Sequence, residues 1–235
     1  MTNTWNRLAL LIFAVLSLLV AGELRAGVVV GGTRFIFPAD RESISILLTN
    51  TSQESWLINS KINRPTRGGG EASTVPAPLL AAPPLILLKP GTTGTLRLLR
   101  TESDILPVDR ETLFELSIAS VPSGKVENQS VKVAMRSVFK LFWRPEGLPG
   151  DPLEAYQQLR WTRNSQGVQL TNPTPYYINL IQVSVNGKAL SNAGVVPPKS
   201  QRQTSWCQAI APCHVAWRAI NDYGGLSAKK EQNLP

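Results

Sequence analysis

The chain has 235 residues, 43% of them hydrophobic and 7% aromatic, with 24 Lys+Arg against 16 Asp+Glu for a formal net charge of +8. That apolar share is enough to build packed cores and excludes a disordered chain. The basic residues are scattered, with no run of five and no interleaved aromatic platform, so the charge argues for solubility and weak attraction to acidic surfaces and against a nucleic-acid partner.

Arg7 precedes an apolar run from Leu8 to Ala21, which ends in the small-residue exit Leu24-Arg25-Ala26. The run is shorter than the roughly 20 residues a membrane span needs, and it has the order of parts of a cleaved export signal. Residues 1–26 are therefore expected to be a signal peptide and Gly27 the first residue of an exported mature chain. Removing Arg7, Glu23 and Arg25 lowers the net charge by one.

Beyond Gly27 the pattern is of short β segments between turn residues, with almost nothing of helical period. After an opening segment, strands are expected over Thr33 to Phe37, Ser43 to Thr49, Ser55 to Asn63, Leu85 to Leu88, Thr95 to Leu99 and Leu113 to Val121. Asn50-Thr51-Ser52, Gly68-Gly69-Gly70, the proline-rich stretch Pro76 to Pro84, Pro90-Gly91 and Pro122-Ser123-Gly124 punctuate them. Seven short strands in this span suggest a β-sandwich. The triple glycine lacks both the preceding strand and the Lys-Ser/Thr of a phosphate-binding loop, so it reads as a plain loop. A further strand begins at Val131, in VKVAMRSVFKLFWRP. There Val131, Val133 and Met135 alternate with polar residues, and Lys140 and Arg144 stand among Phe139, Leu141, Phe142 and Trp143. The alternation alone fits side chains turned into the chain's own core.

Pro145 to Pro152, with three prolines and two glycines, has the composition of a linker. Strands follow over Gln158 to Thr162, Gly167 to Thr171, Tyr176 to Val185, Ser200 to Trp206 and His214 to Ala219, with a polar tail from Ala228 that should be mobile. The organisation expected is thus a signal peptide (1–26), a first domain (27–144), a linker (145–152) and a second domain (153–235). No internal sequence repeat emerges beyond the shared β character.

Little in this chain supports catalysis. It has one histidine, His214, and no Gly-x-Ser-x-Gly elbow. Cys207 and Cys213 are its only cysteines, and an oxidising compartment would join them as a disulfide. With His214 they would make only three metal ligands, at a spacing unlike zinc sites. Asp109 and Glu111 could share a strand face for acid–base work, but a solvated turn accounts for them as well. No enzyme activity, metal, cofactor or small-molecule substrate is implied.

Six blocks, in order, carry a resemblance: TRFIF at 33–37, APPLILLKPG at 82–91, DRETLFELSIASVP at 109–122, FKLFWRP at 139–145, NPTPYY at 172–177 and INDYGG at 220–225. Together they resemble the periplasmic chaperones of the chaperone–usher pilus pathway. The resemblance implies an all-β fold of two immunoglobulin-like β-sandwich domains in an L-shaped arrangement with a cleft between them. It also implies a periplasmic location, pilus subunits and an outer-membrane usher as partners, and a donor strand that completes the unfinished sheet of a subunit. An exported two-domain adhesive or structural fimbrial module is the alternative. Under the resemblance Val131, Val133 and Met135 fill the subunit groove, and Arg34 with Lys140 clamps the subunit's C-terminal carboxylate. Glu111, Arg144 and Asp222 form an interdomain charge network, and Pro84, in Pro83-Pro84, is the cis-proline candidate. Strict alternation sets Lys140 on the face opposite Met135, so a twist, a bulge or a different neighbour must bring anchor and zipper to one ligand. Leu87 replaces a usual basic residue, and the short segment before Val131 lacks the cysteines of the long-loop branch, which points to the short-loop branch. An exposed apolar strand edge would also favour self-association of the free chain.

Overall fold

The computed structural model describes residues 27–65, 76–101, 106–124, 133–191, 193–208 and 212–235. The export-signal segment and Val131 lie outside them. The chain folds into two β-sandwiches. In the first, β1 (Val28–Val30), β3 (Ser43–Asn50), β7 (Thr93–Arg100) and β5 (Leu79–Ala82) form a four-stranded sheet in the order β1-β3-β7-β5. Against it lies a five-stranded sheet in the order β2-β9-β8-β4-β6, made of β2 (Arg34–Pro38), β9 (Met135–Arg144), β8 (Thr112–Ser123), β4 (Ser55–Asn63) and β6 (Leu85–Leu88).

Period-two alternation builds the core between these sheets. Ile46 and Leu48 of β3, Leu96 and Leu98 of β7, Ile58 and Ile62 of β4, and Phe114, Leu116 and Ile118 of β8 all point inward and are buried. Their sequence neighbours face out. The first strand changes sheet at Gly31-Gly32, where Gly31 N donates to Leu47 O and Gly32 N to Val30 O. A Cβ on Gly32 would come 3.0 Å from the Phe35 ring, so the crossing favours a residue without one. β5 lies inside the proline-rich stretch that composition reads as an interruption. It is an edge strand, where flanking prolines cost no ladder hydrogen bond. The cis peptide bond of this stretch precedes Pro83 and not Pro84. Ala82 is the last residue that β5 pairs with β7, so the chain changes direction at the bond that follows it.

The second sandwich packs β10 (Arg160–Asn164), β11 (Gly167–Asn172) and β15 (Ser200–Thr204) against a sheet ordered β13-β12-β16-β17. That sheet contains β12 (Ile178–Val185), β13 (Lys188–Ala189), β16 (Cys213–Ile220) and β17 (Lys230–Leu234), with β14 (Val195–Val196) also on β12. Trp161, Val168, Leu170, Val183, Val215 and Trp217 lead its core, and Cys213, joined to Cys207 in the expected disulfide, is buried among them. The tail expected to be mobile is β17, paired with Cys213–Trp217, because Leu234 is buried and anchors it. A single apolar residue four places into a charged segment is a weak sequence signal.

A repeat invisible in the sequence appears in the hydrogen bonds. Asn50, at the end of β3, donates from Nδ2 to the carbonyls of Glu54, Leu88 and Lys89 and accepts at Oδ1 from the N–H and hydroxyl of Ser52. Asn172, at the end of β11, donates to the carbonyls of Tyr176, Val196 and Pro197 and accepts from the N–H and hydroxyl of Thr174. Both asparagines are 0% exposed. Each ties its strand's exit to a distant loop by satisfying backbone groups that water cannot reach. Asn172→Ala should therefore orphan several buried groups at once and lower stability by about 3–5 kcal/mol in chemical denaturation. A loss near the surface-mutation level, about 0.5 kcal/mol, would contradict this role.

Candidate functional site

β9 has a different neighbour on each of its two edges. On its inner side it pairs with β8 without a break, from Met135 opposite Ser120 to Trp143 opposite Thr112. On its outer side β2 runs parallel to it but covers only the second half, with Arg34 opposite Lys140 and Pro38 opposite Arg144. Among the described residues the outer edge from Val133 to Phe139 has no partner strand, so its N–H and C=O groups are available to another chain.

The side chains of this strand change character at the same point. Met135, Ser137, Phe139, Leu141 and Trp143 share the face that packs on the sandwich core. Trp143 is 6% exposed and Leu141 0%, Phe139 is half-buried, and Met135 and Val133 are 59% and 63% exposed. The core face of the first sandwich thus runs past the end of its own covering sheet. The reading that turns these residues into the chain's own core does not hold for Val133 and Met135.

Arg34 and Lys140 sit where the open edge ends, cross-strand neighbours in the β2–β9 ladder. Arg34 donates from Nη1 to the carbonyl of Ile220 in the second sandwich at 3.0 Å, and its buried Nε has no partner. Burial lowers the pKa of the Arg34 guanidinium against the pull of Asp222. Burial also lowers that of Lys140, helped by the Arg34 charge and opposed by Glu115. Among the described residues neither cation has a carboxylate at ion-pair distance. Two adjacent, partly desolvated cations with no carboxylate at ion-pair distance have the chemistry to receive an anion, and an arginine can take a carboxylate bidentately.

Arg144, Glu111 and Asp222 stand together where the two sandwiches meet. Arg144 Nε donates to Glu111 Oε1 at 2.7 Å, and its two terminal nitrogens donate to the Asp222 carboxylate at 2.7 and 3.0 Å. The other Glu111 oxygen accepts from Tyr177 N at 2.7 Å, while Glu111 N donates to Pro175 O. Burial pushes the Glu111 carboxyl up, against Arg144 and the Tyr177 amide. Burial works against the charge on Arg144 too, but its bonds to Asp222 and the field of Glu111 hold its pKa above the ordinary value. Asp109 is not paired with Glu111 in any catalytic sense. It is exposed, bonded to Arg110 and to Lys199 of the second sandwich, which hold its carboxyl well below the usual range. Lys199 was missed in the sequence, where a lone lysine after two prolines looks like any surface charge.

No bulge reconciles Lys140 with the opposite face of Met135. β2 begins beside Lys140, so the open edge of β9 stops at Arg34.

Residues 27–149 match the family model "Pili and flagellar-assembly chaperone, PapD N-terminal domain", and residues 154–231 match "Pili assembly chaperone PapD, C-terminal domain". The chain is 98% identical to the fimbrial chaperone YcbF of Escherichia coli K12 over the full length of both. It is 32% identical to chaperone protein FimC of Escherichia coli O6:H1, across 93% of this chain and 89% of that one. Among solved structures it resembles the periplasmic chaperone SfaE, at 29% identity and a TM-score of 0.71, covering 87% of this chain and 98% of that one. A chain in the complex of the Salmonella enterica SafA pilin with the SafB chaperone matches at 28% identity and a TM-score of 0.73, covering 90% and 98%.

The network makes a sharp prediction. Arg144→Met leaves the Glu111 carboxylate, 2% exposed, without its counter-charge, which should cost about 3–5 kcal/mol, and Glu111→Gln in the same chain should restore much of it. With Arg144 gone the folded-state pKa of Glu111 rises further above its unfolded value. The variant should then be most stable below the unfolded value, about 4, and lose stability as pH rises above it through the raised folded value, a slope that thermal melts of the double variant should lack.

Proposed function

Because this chain belongs to the family of pilus-assembly chaperones, whose members are not enzymes, we propose that it works in the periplasm by lending β9 to pilus subunits and passing them to an outer-membrane usher. The observation that carries this reading is the divided edge of β9. A guest strand added to the open half lies in line with β2 and must stop where β2 begins, at Arg34 and Lys140. A strand that ends in a carboxylate at that point runs parallel to β9, as β2 does. Val131, Val133 and Met135 then face the guest's core as a continuation of the chaperone's own, and Lys140 meets the end of the guest's chain instead of its groove.

Magnitudes favour this division of labour. Three side chains of this size contribute on the order of 1.5–3 kcal/mol each on full burial, and the backbone pairs add direction and register. The cations fix where the guest stops. The export-signal pattern, the Cys207–Cys213 disulfide and the likeness to a chaperone described as periplasmic support the location. Among the described residues no helix is long and apolar enough to cross a membrane. In the guest's absence the same apolar edge is open to a second copy of the chain.

Expressed in a periplasm with a fimbrial subunit, the Arg34→Ala/Lys140→Ala variant should be exported and folded, with a melting temperature near that of the wild type, because relief of two desolvated like charges offsets the lost hydrogen bond from Arg34 to Ile220 O. The subunit should be degraded, and recovery equal to wild type would remove the anchor. Val133→Asp should weaken subunit capture at least tenfold and leave the chaperone's own melting temperature unchanged, since the side chain is 63% exposed in the free protein.

A further inference from the structure

The turn Asn221–Gly225 links the two sandwiches, and its side chains are committed to that task with one exception. Asn221 closes the turn from within: its N–H donates to Gly225 O, its own carbonyl accepts from Gly224 N, and its Oδ1 accepts from the N–H groups of Tyr223 and Gly225. Asp222 is held by the Arg144 fork. Gly224, at φ +82°, lies so close to Thr33 that a Cβ there would come within 2.6 Å of the Thr33 hydroxyl. Just before the turn, the Ile220 carbonyl takes the Arg34 guanidinium. Tyr223 is left, 87% exposed, at the tip of a turn that cannot move without breaking these contacts.

The position of this turn gives the tyrosine a partner. A guest strand on the open edge of β9 must end against Thr33 and Arg34, and the turn is seated on Thr33. We infer that Tyr223 is a specificity-determining wall of the carboxylate site, which takes the last side chain of the captured chain against its ring and prefers an apolar or aromatic one. This rests on the donor-strand reading and deepens it. A tyrosine suits the task because its large ring carries only two side-chain torsions to order, and the braced turn has already paid the backbone entropy. The hydroxyl is not needed for such a contact, so Phe should replace it.

The test is calorimetric titration of the full mature chain with a peptide of about ten residues, Val alternating with Thr, ending in Phe with a free carboxylate. A C-terminal amide twin and a twin ending in Gly complete the set. Tyr223→Ala should melt like wild type, bind the Phe-ended acid about tenfold more weakly, and bind the Gly-ended peptide as wild type does. Tyr223→Phe should keep wild-type affinity. Equal affinity of Tyr223→Ala and wild type for the Phe-ended acid, within twofold, overturns the assignment while leaving the anchor intact if the amide twin still binds less well. If acid and amide bind the wild type equally, the anchor reading fails and the assignment of Tyr223 to a carboxylate site falls with it. No binding of the acid to wild type at millimolar peptide overturns both.

Discussion

One strand edge governs this molecule. β2 pairs with β9 over five residues and no more, so a single edge is satisfied from Lys140 onward and open before it. Water serves the open half while it stays exposed, and once water is excluded there its backbone groups can be satisfied only by another chain. The first sandwich therefore ends as an unfinished surface, at which the inward-facing residues of β9 outrun the sheet that covers them.

The cations at the boundary follow from the same geometry. Arg34 begins β2, and its guanidinium reaches across to a carbonyl of the second sandwich, so the arginine that closes the edge also lies against the neighbouring domain. Arg144, four residues beyond Lys140, is fully committed to Glu111 and Asp222 and neutralised by them. Arg34 and Lys140 are not. This contrast sets a structural arginine apart from the proposed anchor pair on one short stretch of sheet: desolvated charge with counter-ions holds domains together, whereas desolvated charge without them attracts an anion. A second contact, Lys199 with Asp109, joins the sandwiches at the surface, where exposure and salt reduce its worth.

Strand positions in the first sandwich were legible because Leu96 and Leu98 flank Arg97, and Phe114, Leu116 and Ile118 alternate with Glu115 and Ser117, the direct signature of one buried face. The signal failed where alternation is too short or too weakly apolar. β5 hides among prolines that only an edge strand accommodates, and β17 depends on Leu234 alone. The cis bond sits one proline earlier than resemblance suggested, since the end of β5 pairing places the change of direction and the pair of prolines is symmetric in sequence. The asparagine corners escaped for another reason: Asn50 and Asn172 share only a following hydroxyl residue, and their common role lies in carbonyls tens of residues away.

From sequence alone came the all-β class, the paired cysteines, the family blocks and the alternation of Val131, Val133 and Met135, because periodicity and composition are local properties that a single strand carries with it. Tertiary structure alone decided that β2 begins beside Lys140, that Val133 and Met135 stand beyond their own core, and that Arg34, Asp222 and Tyr223 gather at one place. Which face of a strand is covered, and which edge is left open, depends on where other strands end, and those ends are set by pairing between residues more than a hundred positions apart.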